Sequence, residues 1–430
     1  MDYLGEMLSR RNADNSAGIW SCCSANEYVI RAAIRRAKER NIPALIEATA
    51  NQVDQTGGYT GMRPADFRDY VLNIARQEGL PEDRLILGGD HLGPLTFAKL
   101  PEKVAMEKAR ELVRLYVEAG YTKIHLDTSM PLAGDGADFG NEIIARRGAE
   151  LCKVAEEAFV QRRKDHPDAL PPRYVIGSEV PIPGGAKENE DSVAVTKSED
   201  FFATVSAFET AYAAQGLKDA WSRVIAVVVQ PGVEFGDNSV VRYSREKAAH
   251  LISAAKNIPH MVLEGHSTDY QPRKLLREMV EDGIAILKVG PALTFALREG
   301  LFALENIERE LNFTKPSNLR AVMDDVMIEN PRYWECYYHG SPAEQQYARS
   351  FSLSDRCRYY LPDTRISASA ELLMKNLSSV QIPLALLWQY MPRQADRVSG
   401  GILGSMPIDL VIDHVGDRMD DYLYAVGATE

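Results

Sequence analysis

Short apolar runs rich in β-branched residues alternate about eight times with longer segments of helical period, and almost every run ends in polar or ionisable residues. The runs are Ala17 to Trp20, Pro43 to Ile46, Leu85 to Leu87, Lys123 to Leu126, Tyr174 to Ile176, Val224 to Val229, Met261 to Leu263 and Ile284 to Val289. Between them, Pro64 to Gln77 gathers Phe67, Tyr70, Val71 and Ile74 on one face, with a proline suited to a first helical turn and Gly79 to a C-terminal cap. Ala105, Ala109, Leu112, Val113 and Tyr116 repeat the spacing up to Gly120. Such alternation predicts an α/β fold of the (β/α)8 TIM-barrel type, with a doubly wound sheet as the alternative. The polar run ends favour the barrel, which draws its site from many strand C-termini, whereas a doubly wound sheet concentrates ligand groups at one switch point.

From about Thr294 the pattern becomes helical, with Phe295 to Leu311 and Asn318 to Ile328 strongly periodic. Residues 1–312 are therefore expected to form the barrel and 313–430 a helical C-terminal extension packed on it. Within the extension, Arg356 and Arg358 would reach a ligand only if it folds over the barrel mouth; the plainer expectation is exposed arginines on a helical cap. The segment Pro181 to Asp200, rich in Pro, Gly and acidic residues, is long for a strand-to-helix connection and is expected to act as a lid.

Among 430 residues, 49 basic and 61 acidic side chains give a net charge of −12. That balance argues against nucleic acid or an anionic membrane as the main partner, since either needs a broad basic face. Five cysteines without paired spacing read as reduced thiols, and no apolar run approaches the ~20 residues of a membrane span. The expectation is a cytoplasmic protein whose oligomeric state is open, a homo-oligomer included.

The strongest local signal is Gly88-Gly89-Asp90-His91-Leu92-Gly93-Pro94. Asp90 and His91 are adjacent at a strand end where the chain already turns, so both can face one cavity, the histidine as a metal ligand and the carboxylate as a proton carrier; an Asp that merely caps the next segment is the alternative. His266 follows the seventh run, and His91, Glu179, Gln230 and His266 together would form a nitrogen and oxygen set for a divalent metal, Zn²⁺ first, with Mn²⁺ or Ni²⁺ as alternatives. Against this, Gln230 can simply bond backbone and His266 can cap or pack. Lys288, Val289 and Gly290 end the eighth run, where barrels commonly seat a phosphate on backbone amides. His125 reads as a packed histidine beside Asp127. There is no GxxxxGK[ST] phosphate loop and no GxGxxG fingerprint.

Glu47-Ala48-Thr49-Ala50-Asn51-Gln52-Val53, GGDHLGP, KIHLD, GSEVPIPGG, VVVQPGVEF, GHSTDYQ, KVGPALTFALRE and SDRCRYY resemble the GatZ/KbaZ family over nearly the whole chain. Its members are described as tagatose-1,6-bisphosphate aldolase accessory subunits, have been labelled tagatose-6-phosphate kinases, and in some lineages act as tagatose-6-phosphate 4-epimerases in tagatose and galactitol catabolism. The family is similar to class II aldolases, whose strand-three Asp-His pair matches Asp90 and His91. Those aldolases take further histidines from strands six and seven, where this chain carries Gln230 and Glu264, with His266 two residues on. The resemblance implies a sugar-phosphate enzyme acting by retro-aldol chemistry, or a non-catalytic partner of a class II aldolase subunit. In the enzyme reading Asp90 is the base for the C4 hydroxyl, Asp127 or Glu179 serves the opposite face, and Glu47, Asn51, Glu264, Asp269, Lys288 and Gly290 bind substrate.

Overall fold

The eight apolar runs become eight parallel strands in the computed structural model, which describes residues 1–136, 139–181 and 193–428. They are β1 (Ile19–Cys22), β2 (Ala44–Thr49), β3 (Leu85–Leu92), β4 (Lys123–Leu126), β5 (Arg173–Ile176) and β6 (Val224–Val229). A two-stranded ribbon, β7 (Glu234–Phe235) with β8 (Val240–Val241), then precedes β9 (Val262–Gly265) and β10 (Ile284–Val289). The barrel closes in the order β1-β10-β9-β6-β5-β4-β3-β2, so the TIM-barrel reading holds and the doubly wound alternative falls. Strands such as β6, Val-Ile-Ala-Val-Val-Val, are buried along their whole length, as strands between a filled interior and a helical coat must be.

Each barrel strand is followed by a helix, from Glu27–Glu39 after β1 to Pro291–Glu310 after β10. The amino end of the barrel is sealed by the helix Tyr3–Arg11, whose Leu4 and Met7 pack on Ile19, Leu45, Ile86 and Ile225. Asp2 caps that helix by accepting from the Gly5 amide at 3.1 Å and pairs with Arg173 on β5. The opening that leads to the buried polar groups of the barrel lies at its carboxyl end.

The extension runs from Leu319–Glu329 to Pro407–Ala425 and shares one continuous apolar core with the barrel through Leu319, Ile366, Leu410 and Val415. Its last helix packs against Glu27–Glu39, Arg273–Asp282 and Pro291–Glu310, and Arg36 reaches Asp413 at 3.1 Å across that seam. A turn of the extension is tied to the barrel mouth: Leu353 donates its amide to Asp237 at 2.8 Å, and the Tyr270 hydroxyl donates to the Leu353 carbonyl at 2.6 Å. All five cysteines are unpaired. Among the described residues no helix is long and apolar enough to cross a membrane. Of the expected lid, residues 182–192 lie outside the described residues.

Candidate active site

Two glycines of the β3 motif set the local geometry. A side chain on Gly88 would run into Glu47 at 2.5 Å, and one on Gly93 would meet the Asp127 carbonyl at 1.7 Å. The chain after β3 can therefore lie directly against the end of β4, where the Asp127 amide donates to Leu92 at 3.0 Å. His91 takes a left-handed φ of 51° at this turn, a conformation costing about 1–2 kcal/mol for a side chain of this kind, and the β3–β4 register shifts between Gly89 and Leu92. That break in the pleat is why Asp90 and His91 both face the barrel interior.

Their side chains join His125 from β4 and His266 from the loop after β9, with one ligand-capable atom of each of the four lying within 4.8 Å of all the others. The three imidazoles are nearly equidistant, with ring centroids 5.0 to 5.3 Å apart. Each is oriented by a carboxylate. His91 Nδ1 lies 2.8 Å from Asp127, His125 Nδ1 2.8 Å from Asp90, and His266 Nε2 2.9 Å from Glu264. This leaves Nε2 of His91, Nε2 of His125 and Nδ1 of His266 for a common ligand, and Nε2 of His125 is buried without a hydrogen-bond partner.

Beneath the histidines lies a fully buried ionic layer. Lys123 on β4 pairs with Glu47 and Glu264, each at 2.8 Å, and Lys288 on β10 pairs with Glu47 at 2.6 Å and Asp90 at 3.0 Å. With neutral imidazoles, four carboxylates (Glu47, Asp90, Asp127, Glu264) face two ammonium groups, an excess of negative charge that a divalent cation would balance. The donor set thus fits a metal: three nitrogens in the manner of a catalytic Zn²⁺ centre, each backed by a carboxylate.

Electrostatics follow from this packing. Burial opposes the charged form of Asp90, but His91, Lys288 and the His125 hydrogen bond outweigh it and hold the carboxyl well below its ordinary range. Asp127 and Glu264 are likewise held low, against burial, by His91 and Lys123 respectively. Burial pushes His266 down to about 4, whereas Asp90 and Asp127 overcome burial and raise His91. The field that favours a proton on His91 equally favours a cation in its place.

The mouth above this cluster is a cavity of about 80 Å³, bordered by Asn51, Asp90, His91, His266, Asp269 and Lys288. Asn51, Asp269, Lys288 and Gly290, read from sequence as substrate contacts, border the mouth. Glu47 and Glu264 do not border it; they are fully buried below, occupied with the two lysines and with His266. Gly290 does not offer its amide to a phosphate, because Asp269 takes that amide at 3.1 Å and the Ala292 amide at 2.7 Å. A carboxylate fills the helix N-terminus that an anion would use, and burial pushes its pKa up to about 6.

The expected metal set changes membership. Gln230 spends its side-chain oxygen on the amides of Gly232 and Val233, at 2.9 and 3.0 Å, the backbone-bonding alternative. Glu179 is exposed and accepts from the Thr196 hydroxyl. Neither borders the mouth, and His125, read from sequence as packed, joins the cluster. Asp127 sits behind His91 and does not border the cavity, so it orients the His91 ring and does not reach the mouth. The extension does fold over the mouth: Arg358 and Tyr359 line it, while Arg356 is buried with its guanidinium 3.4 Å above the Tyr337 ring. Past Arg358 the mouth adjoins a larger chamber of about 400 Å³, walled by Tyr28, Met62, Tyr70, Leu297, Leu319 and Ile366.

The chain is similar to known proteins along nearly its whole length. A crystal structure of a protein described as a probable tagatose 6-phosphate kinase from Sinorhizobium meliloti 1021 is 42% identical, with a TM-score of 0.86 over 95% of this chain and 100% of that one. A fructose-bisphosphate aldolase from Campylobacter jejuni is 16% identical, with a TM-score of 0.44 over 87% of this chain and 91% of that one. The family model for the D-tagatose-1,6-bisphosphate aldolase subunit GatZ/KbaZ-like proteins matches residues 4–427, and the chain belongs to that family.

Proposed function

We propose that this chain is a metal-dependent ketose-phosphate 4-epimerase of tagatose and galactitol catabolism, interconverting tagatose 6-phosphate and fructose 6-phosphate in the cytoplasm. The observation that carries the reading is the cluster of His91, His125 and His266 beside Asp90 at the open end of the barrel. The three imidazoles would hold a divalent metal, which when bound would supply Lewis-acid polarisation of the substrate carbonyl.

The C4 hydrogen of a 2-ketose is β to the carbonyl and not acidic, so direct deprotonation cannot invert C4. Cleaving the C3–C4 bond removes the difficulty. Asp90 takes the C4 hydroxyl proton, the C3–C4 electron pair moves toward the C2 carbonyl, and C4 becomes an aldehyde. The aldehyde turns over, C3 attacks its other face, and a proton returns to the new hydroxyl. Lys288, 3.0 Å from Asp90, keeps the base ionised and oriented between cycles. Asp269, which also borders the mouth and has its carboxyl at about 6, is the group suited to protonate and deprotonate the hydroxyl on the second face. It takes the part that sequence alone gives to Asp127 or Glu179. Asn51, Tyr59, Tyr359 and Phe235 border the mouth and limit escape of the fragments.

The test is to incubate the purified, metal-analysed chain alone with fructose 6-phosphate and follow tagatose 6-phosphate by ¹³C NMR. Product is expected, and Asp90→Asn should abolish it while metal remains bound. No product with added Zn²⁺, Mn²⁺ or Ni²⁺ would favour the second reading, a non-catalytic subunit that binds and stabilises a class II aldolase, which the family's description as an aldolase subunit supports. The kinase label of the relative finds no phosphate loop in this sequence to support it.

A further inference from the structure

The strand-eight amides are closed to an anion by Asp269, so the phosphate of a sugar phosphate must be held elsewhere. The turn Ser354 to Tyr360 supplies the candidates. Of the cations gathered there, Arg298 pairs with Asp355 at 2.8 Å and Arg356 donates to the Tyr333 carbonyl beneath the Tyr337 ring. Arg358 differs from both. It lines the mouth and, among the described residues, has no carboxylate within ion-pair distance. Its Nη1 donates to the carbonyls of Ser354 and Asp355, and its Nη2 to the Tyr359 hydroxyl at 3.1 Å. Two N–H groups, that of Nε and one of Nη2, remain without an acceptor among the described residues.

A largely buried guanidinium without an ion-pair partner, on which Asp355 and Asp269 act only at longer range, keeps two donors free for an arriving oxyanion. The two carbonyl bonds fix the guanidinium plane beforehand, so little freedom is lost on binding. Position argues the same way. Arg358 lies on the wall shared by the mouth and the larger chamber, together with Gln52 and Tyr59. The mouth alone is small beside the roughly 300 Å³ or more of ordinary ligand pockets, so a six-carbon sugar phosphate seated at the histidines must extend toward that wall.

We propose that Arg358, a residue of the C-terminal extension, is the anion subsite of this barrel and binds the terminal phosphate of a ketose phosphate whose carbonyl end lies at the histidine cluster. This rests on the sugar-phosphate reading of the site but not on turnover. The test is calorimetric titration of the full-length, metal-loaded chain with fructose 6-phosphate, fructose and inorganic phosphate. Fructose 6-phosphate should bind at least tenfold more tightly than fructose, and inorganic phosphate should compete with it. Arg358→Gln should bring fructose 6-phosphate down to the affinity of fructose, leave fructose unchanged and leave metal content unchanged. Arg358→Lys, which keeps the charge but loses the fork, should fall between the two. Equal binding of the two sugars by the unmodified chain, or a preference for the phosphorylated sugar that survives in either variant undiminished, would overturn the assignment. A phosphate preference without any epimerisation would instead sink the epimerase reading and leave this subsite standing.

Discussion

Asp127 contacts Nδ1 of His91 at 2.8 Å from behind the ring, and this one contact decides which nitrogen of His91 is turned to the barrel mouth. Asp90, the neighbour of His91 in sequence, stands on the other side, in the cavity itself. Two carboxylates near one imidazole thus have separable duties. Asp127→Ala should weaken metal binding by about 10–100-fold, as removal of such an orienting partner does, while turnover at saturating metal stays within a few-fold. Asp90→Asn, whose amide oxygen can still accept from His125 Nδ1, should show the reverse, metal retained and turnover lost. Metal titrations paired with rates at saturating metal separate them, and the same pattern for both variants would refute the division.

His125 is the member of the cluster that sequence reading passes over, so it offers the sharpest check on metal binding there. His125→Gln should reduce stoichiometric metal binding at least tenfold by elemental analysis after dialysis. Glu179→Gln and Gln230→Ala should leave it unchanged, because those side chains are engaged with Thr196 and with the backbone of Gly232 and Val233.

Lys123 has no exposed surface and bridges two equally buried carboxylates. Lys123→Met would leave Glu47 and Glu264 without one of their counter-charges and should destabilise the fold by about 3–5 kcal/mol, measured by chemical denaturation. A loss below about 1 kcal/mol would mean that the pairing is not maintained in solution.

Asp269 gives a pH signature. Its carboxyl ionises at about 6 in the folded chain against an ordinary 3.8, so between those values the folded state binds more protons than the unfolded one. The contribution of Asp269 is most favourable below about pH 4 and is lost as pH rises through 6, by up to about 3 kcal/mol. His266, lowered to about 4, acts with the opposite sign over an overlapping window. Comparing each pH with Asp269→Asn removes the histidine from the difference. The stability of the native chain relative to that variant should fall between pH 4 and pH 7, and a flat difference would exclude the shift.

Much of this was legible in the chain. The eight strands, the open carboxyl end and the Asp90–His91 pair follow from periodicity and from polar run ends, because a closed parallel barrel forces both. The membership of the cluster does not follow, since ligands from separate strands leave no spacing to read. His125 belongs because it lies two residues after Lys123 on β4 and shares its inward face, and Gln230 does not because the turn after β6 needs its oxygen. The role of Arg358 was open for a related reason. Whether an extension covers a mouth depends on single tethers such as Tyr270 to Leu353, and these have no sequence period.

The seam at Tyr422 bears on how the protein matures. Its hydroxyl donates at 2.9 Å to the carbonyl of Thr268, in the loop that carries His266 and Asp269. The ribosome makes that loop long before it makes the helix that pins it. A nascent barrel can thus have all eight strands in register while the loop carrying His266 is still unanchored, so the cluster is completed only when the last helix docks.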